Sequence, residues 1–236
     1  MKLNGKIAWI TGSGRGIGEA IAFALAAQGA KVVVSARNDD DIARIAGEIN
    51  ANGDSALAIP CDVQVNSDII NLVQQTKDVW GPIEILINNA GIAFFKSILD
   101  TSEEEWDAMM NTNLKSAFLC TKAVLPDMIR MKRGKILNIV SVAGIQAYHN
   151  CGGYCASKFG LRGFTDVLRL EHRRHGIQVT SIIAGATKTA IWGDAAVDFS
   201  IMMTPEHVSQ AIVSVCEAGE STHIEEIVLR PQGGDL

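Results

Sequence analysis

The sequence has no surplus of positive charge, and that absence narrows its partners first. Its 21 lysines and arginines face 26 aspartates and glutamates, giving a net charge of −5. Nucleic-acid binding needs a basic face to neutralise phosphates, so no nucleic-acid partner is expected. No apolar run approaches the roughly 20 residues that a membrane-spanning helix requires, so no membrane partner is expected either. The amino end runs from Met1 to Lys6 straight into an apolar stretch, without the basic and apolar regions of a secretory leader. The five cysteines, at 61, 120, 151, 155 and 216, are an odd set without framework spacing, which implies reduced thiols and a cytoplasmic location. Cys151 and Cys155 are spaced to share a helix face, but no other Cys/His pair completes a metal set, and no metal is expected. Repeats, low-complexity tracts and interdomain linkers are missing as well. With 47% hydrophobic residues in 236, the chain can bury one substantial core, and 1–236 reads as a single domain.

What is present is alternation. Short apolar, β-branched runs at 6–11, 31–36, 56–60, 83–88, 135–140, 178–183 and 226–229 predict strands. Between them, amphipathic stretches at 16–28, 39–52, 67–80, 103–132, 153–175 and 205–217 predict helices. Continuously apolar strands separated by helices imply parallel strands covered on both faces. Right-handed crossovers then give an α/β fold: one doubly wound, Rossmann-like domain with a mostly parallel seven-stranded sheet.

The first strand runs into Thr11-Gly12-Ser13-Gly14-Arg15-Gly16-Ile17-Gly18, followed by a helical stretch. Glycine at that density costs conformational entropy. At a strand-to-helix junction the return is close approach of backbone N–H groups and a helix N-terminus to a pyrophosphate. Gly12, Ser13, Arg15, Gly16, Ile17 and Gly18 are therefore candidate dinucleotide contacts. The spacing is Gly12-x3-Gly16-x-Gly18 rather than G-x-G-x-x-G. At the end of the second strand, Ser35-Ala36-Arg37 carries no carboxylate to grip ribose hydroxyls. Arg15 and Arg37 are each consistent with a solvated surface position, but together, with the acid missing, they favour the 2′-phosphate of NADP(H). Asp62, with Val63 beside it, is placed to accept the adenine amino group. Asn89, Ala90 and Gly91 form a turn that lets a cofactor pass, although turns favour Asn and Gly for their own reasons.

Ser141 ends the fifth predicted strand, and Tyr154 and Lys158 stand one helical turn apart, on one face. A phenol titrates near 10, and a nearby ammonium and an oxidised nicotinamide both favour its ionised form. Tyr154 is then a proton donor or acceptor, with Ser141 holding a carbonyl oxygen. An isolated Tyr/Lys pair of this kind is ordinarily just helix surface.

Taken together, Thr11-Gly12-x3-Gly16-Ile17-Gly18, Asn88-Asn89-Ala90-Gly91, Ser141 and Tyr154-x3-Lys158 resemble the short-chain dehydrogenase/reductase family over almost the whole chain. The likeness is to NADP-preferring members such as 3-oxoacyl-[acyl-carrier-protein] reductases and small carbonyl or hydroxy-acid dehydrogenases. It implies that Asn113 completes a catalytic tetrad and that Lys158 also binds the nicotinamide ribose. It further implies that Gly185, Thr187 and Thr189 follow the sixth strand along the cofactor, and that two long helices pack subunits into a homodimer or homotetramer. One departure is Ala184 where the family usually has proline, which predicts a less preset loop. The segment 190–204 is expected to form a substrate lid. Trp192, Phe94, Phe95 and Tyr148 are candidates for an apolar cleft or for plain packing, and His149 for a substrate contact or an exposed loop position. Arg130, Lys132, Arg133, Arg169, Arg173 and Arg174 suit either an acidic carrier protein or helix C-termini. Two function classes follow. One is an NADP(H)-dependent oxidoreductase acting on a small-molecule carbonyl or acyl-thioester substrate, including a 3-oxoacyl thioester. The other is a dinucleotide-sensing binding protein without turnover, which has no use for a Ser/Tyr/Lys/Asn set.

Overall fold

The structure is a computed structural model that describes residues 3–193, 197–219 and 221–234. Strand β1, Ile7–Thr11, is buried along its whole length, as a strand covered on both faces must be. It lies inside a sheet with β2 (Lys31–Ser35), β3 (Ser55–Ala58), β4 (Ile85–Asn88), β5 (Gly134–Ile139), β6 (Ile177–Ala184) and β7 (Glu226–Leu229). The order is β3-β2-β1-β4-β5-β6-β7, and all six pairings are parallel. Alternation along β1 feeds two cores. Ala8 and Ile10 pack with Ile21, Leu25, Ile45 and Ile212, which lie on α1 (Gly16–Ala26), α2 (Asp39–Ala51) and α7 (Pro205–Glu217). Ile7 and Trp9 pack with Leu72, Met128 and Leu168 on the opposite face, against α3 (Asn66–Val79), α5 (Ser116–Met131) and α6 (Gly152–His172).

The stretch expected as one helix over 103–132 is three pieces. Helix α4, Glu103–Met110, passes through a π-helical turn, Asn111–Lys115, into α5. The wider turn holds an extra residue and rotates Asn113 inward, where it is buried; such turns are common beside functional sites. The segment after β6 contains two 3₁₀ turns, Ala190–Trp192 and Phe199–Ile201. Within the expected lid at 190–204, residues 194–196 lie outside the described residues. No helix among the described residues is long and apolar enough to cross a membrane. The chain leaves β1 toward β2 on one side and returns to β4 on the other. That reversal opens a crevice at the carboxyl ends of the strands, where ligands bind in sheets of this kind.

Candidate active site

The crevice is a cleft of about 1460 Å³. At one end the backbone of the glycine turn forms its wall. Gly12 has φ +62°, and a Cβ there would stand 2.9 Å from the Cα of Ala90, so only bare backbone fits. Gly16, at φ +61°, faces Thr189, whose methyl carbon a Cβ would meet at 3.4 Å. Gly18 does a different job. A Cβ on it would sit 2.4 Å from the Gly12 carbonyl oxygen and 2.6 Å from Asn89 Nδ2, so it lets α1 press against the turn and does not line the cleft. Ser13 also points away from the cleft: its hydroxyl donates to the Ile10 carbonyl (2.9 Å) and accepts from the Ser35 N–H (2.8 Å), tying the turn to β2. Asn89 lines the cleft and braces the turn, donating to the carbonyls of Thr11 (2.9 Å) and Gly12 (3.1 Å). The Thr11 hydroxyl in return accepts the N–H groups of Asn89 and Ala90, both at 3.0 Å.

Arg15, Ile17, Arg37, Asp62, Val63, Ala90 and Gly91 all line this cleft. Asp62 keeps one carboxylate oxygen on the Gln64 N–H at 2.9 Å. Arg15 and Arg37 are exposed at the same end of the cleft. Among the described residues neither guanidinium makes a hydrogen bond or ion pair. Two unpaired cations beside a backbone cradle fit the phosphates of a dinucleotide.

At the other end stand Ser141, Tyr154 and Lys158. Ser141 follows β5 in extended backbone, and its Oγ accepts the Ala143 N–H at 3.1 Å. Its hydroxyl is hydrogen-bonded to the Tyr154 phenol, which lowers the phenol's pKa, but burial outweighs that bond and pushes the phenol up to about 12. Lys158 is buried, and burial pulls its ammonium down to about 8. Its Nζ donates to the Ile139 carbonyl at 2.7 Å and lies 5.7 Å from the centre of the phenol ring. From sequence, the lysine ammonium and an oxidised nicotinamide together are expected to draw the phenol toward ionisation. In the free protein desolvation dominates, and the Tyr154 phenol is neutral at physiological pH.

Asn113 does not line the cleft. Its Oδ1 accepts the Ile92 N–H (2.8 Å), and its Nδ2 donates to the Ile92 carbonyl (2.9 Å) and to Ser157 Oγ (2.9 Å). It holds the segment after β4 against α6, directly behind the site. A Cβ on Gly91 would stand 3.4 Å from Asn113 Oδ1 and 3.7 Å from Lys158 Nζ, so Asn113 backs the cleft floor that Gly91 and Lys158 line. Phe94, Phe95, Tyr148, His149 and Trp192 line the remaining wall. Phe95 stacks on Trp192 with ring centres 5.3 Å apart and meets Tyr154 edge-on at 6.0 Å. His149 is exposed at the rim.

Comparison with known proteins agrees with this geometry. The family model for short chain dehydrogenases matches residues 6–198. The chain belongs to the short-chain dehydrogenase family. A sepiapterin reductase of Chlorobaculum tepidum is 37% identical over 235 residues, 96% of each chain. An uncharacterized oxidoreductase of Staphylococcus aureus is 33% identical, covering 97% of this chain and 98% of its own. Among solved structures, a metagenomic short-chain oxidoreductase in complex with NADP superposes with a TM-score of 0.87 at 31% identity, covering 98% of this chain and 99% of that one. An alcohol dehydrogenase from the archaeon Thermococcus sibiricus complexed with 5-hydroxy-NADP gives 0.90 at 27% identity, covering 96% and 97%. As a short-chain dehydrogenase, the protein is an oxidoreductase.

The loop that lacks the family's proline is nonetheless held in place. The Gly185 N–H donates to the Leu229 carbonyl at 2.8 Å, Met203 N–H to Ala186 carbonyl at 3.0 Å, and Lys188 N–H to Met203 carbonyl at 2.8 Å. These bonds set the loop in place of a fixed proline φ. Gly185, Thr187 and Thr189 line the cleft, and Thr187 accepts the Trp192 indole N–H at 2.8 Å on its carbonyl. Met203, Ile92 and Ser157 were not singled out from sequence, because their parts depend on partners 15 to 44 residues away. Asp41, also on the cleft wall, carried the signal of a helix first turn and nothing else.

The basic clusters lie elsewhere. Arg130, Lys132 and Arg133 precede β5, and Arg169, Arg173 and Arg174 precede β6, so both sit toward the amino ends of the strands, away from the cleft. Arg130 pairs with Asp127, Arg133 with Glu84 and Arg169 with Asp166.

Proposed function

We propose that the protein is an NADP(H)-dependent reductase of small carbonyl compounds that works as a homo-oligomer. The observation that carries this reading is the neutral Tyr154 phenol, hydrogen-bonded to Ser141 and facing a cleft whose far end is a glycine cradle with two unpaired arginines. A dinucleotide held there would supply or accept the hydride. Gly12, Gly16 and Ala90 would pass its pyrophosphate, Arg15 and Arg37 its 2′-phosphate, and Asp62 and Val63 its adenine. Lys158, Thr187 and Thr189 would line its nicotinamide end. Ser141 holds the carbonyl oxygen through its hydroxyl, and Tyr154 delivers a proton to that oxygen. Lys158 stabilises the phenolate left behind, and Asn113 keeps the floor in register by pinning Ile92. General acid catalysis of this kind contributes about 10²–10⁴-fold.

For the substrate we favour a carbonyl carried on a flat ring system, because Phe95, stacked on Trp192, stands edge-on to Tyr154 and makes this wall aromatic. The relative named a sepiapterin reductase makes sepiapterin a specific candidate. A 3-oxoacyl thioester remains a candidate, but the carrier-protein version loses support because the basic clusters lie at the opposite edge of the sheet. All five cysteines are free, which suits a reducing cytoplasm. The test is NADPH consumption, followed at 340 nm (the absorbance of the reduced nicotinamide), with sepiapterin, aryl ketones, aliphatic ketones and 3-oxoacyl thioesters. Turnover with any of them is the expected result, fastest with the ring-bearing carbonyls. NADPH binding without turnover of any substrate would point instead to the sensing function.

A further inference from the structure

The outer end of the cleft contains a charge that works against its apparent purpose. Asp41 lines the cleft beside Gly14, Arg15 and Arg37. A Cβ on Gly14 would meet the Asp41 Cβ at 3.3 Å and its Oδ2 at 3.8 Å, so this carboxylate is held against the glycine turn. Its backbone fixes it there, because the Asp41 N–H donates to the Asn38 side chain at the start of α2, at 3.2 Å. Among the described residues the carboxylate itself has no hydrogen bond or ion pair, although two unpaired guanidiniums share the wall.

Asp39 and Asp40 stand in the same first turn of α2, where acids complement the helix dipole. Neither lines the cleft, so dipole complementarity accounts for those two positions and leaves the inward placement of Asp41 unexplained. From that placement we infer that Asp41 is a cofactor-specificity residue: its carboxylate repels the 2′-phosphate that Arg15 and Arg37 attract. It therefore narrows the enzyme's preference for NADPH over NADH. The inference rests on the NADP(H) reading above and adds to it a residue that limits the discrimination.

Like charges a few Å apart in a solvated cleft cost about 3- to 10-fold in affinity. Asp41→Asn removes the charge and keeps the shape and the backbone bond to Asn38. Fluorescence titration of NADPH and NADH, without substrate, should show NADPH binding tightened by about that factor and NADH unchanged within about twofold. The gain should shrink as salt screens the cleft. Asp40→Asn, which removes an equal charge from the same helix turn outside the cleft, should leave both affinities unchanged. NADPH affinity unchanged or weakened in Asp41→Asn, or an equal gain in Asp40→Asn, would overturn the inference. Arg37→Asp tests the underlying reading separately, with NADPH weakened by about 10- to 100-fold and NADH spared. If Arg37→Asp behaves so while Asp41→Asn does not tighten NADPH, only the role of Asp41 falls. If the wild type shows no NADPH preference and Arg37→Asp changes nothing, both fall.

Discussion

A buried ammonium is a burden on a protein that has not yet bound its ligand. Lys158 is held near pKa 8 by burial, against an ordinary value of 10.5. Below pH 8 the folded and unfolded chains both carry the proton, and folding bears the full desolvation cost. Between pH 8 and 10.5 the unfolded chain still holds the proton while the folded one has released it, so stability rises with pH across that window. Tyr154, pushed the other way to about 12, contributes nothing until pH passes 10, and then lowers stability. Lys158→Met should therefore flatten the curve. By urea unfolding, the wild type should gain on the order of 2–3 kcal/mol relative to the variant between pH 7 and 10. Parallel curves would show that Lys158 is not desolvated as described. At the neighbouring position, Tyr154→Phe keeps ring volume and deletes the proton donor. NADPH binding should stay within about twofold while turnover drops by about 10²–10⁴-fold, and a variant retaining half the wild-type rate would remove Tyr154 from its role. These residues could be picked out from their spacing because one helix turn is enough to align them. Ser13 and Gly18 show the limit of that reasoning. A glycine-rich turn has a ligand side and a packing side, and spacing alone does not say which residue faces which.

Elements follow from pattern where the pattern is local. The seven strands and their parallel direction were legible from apolar runs and intervening helices, with ends shifted by a residue or two. The π-helical turn at Asn111–Lys115 was not, because it inserts one residue without changing the apolar character of 103–132. It is the tertiary bonds of Asn113 to Ile92 and Ser157 that give the turn its purpose. Helix α1 makes the same point through Gly18. Adding a methyl there places carbon within 2.7 Å of Gly12, Asn89 and Ser13 atoms, two of them backbone, which can yield only by opening the cradle. Gly18→Ala should cost about 3 kcal/mol or more in unfolding free energy and weaken NADPH along with it. Gly47, in the exposed middle of α2, has nothing within 4 Å of an added Cβ. Gly47→Ala should instead stabilise by about 0.5–1 kcal/mol through helix propensity. Equal effects at the two sites would show that the close approach at Gly18 is unimportant.

At the scale of the whole molecule, one surface is left uncovered by a single chain. Phe159, Gly163, Val167 and Leu170 recur along one face of α6 at helical spacing, and Phe118 of α5 lies toward the same side, packed edge-on to Phe164. Leu170 is 66% and Val167 52% exposed, while Gly163 has open space around it. Exposed apolar side chains at this spacing are what the proposed self-association would cover. Self-association through α5 and α6 would bury them, with Gly163 permitting close approach of the partner backbone. Light scattering after size exclusion should give a mass two or four times the 25.3 kDa subunit. Phe159→Glu combined with Leu170→Glu should lower that mass while far-ultraviolet circular dichroism stays unchanged, because both side chains lie outside the three buried clusters that hold the fold. A wild type that runs as a monomer at micromolar concentration, or a double variant that keeps its full mass, would remove α5 and α6 as the subunit interface.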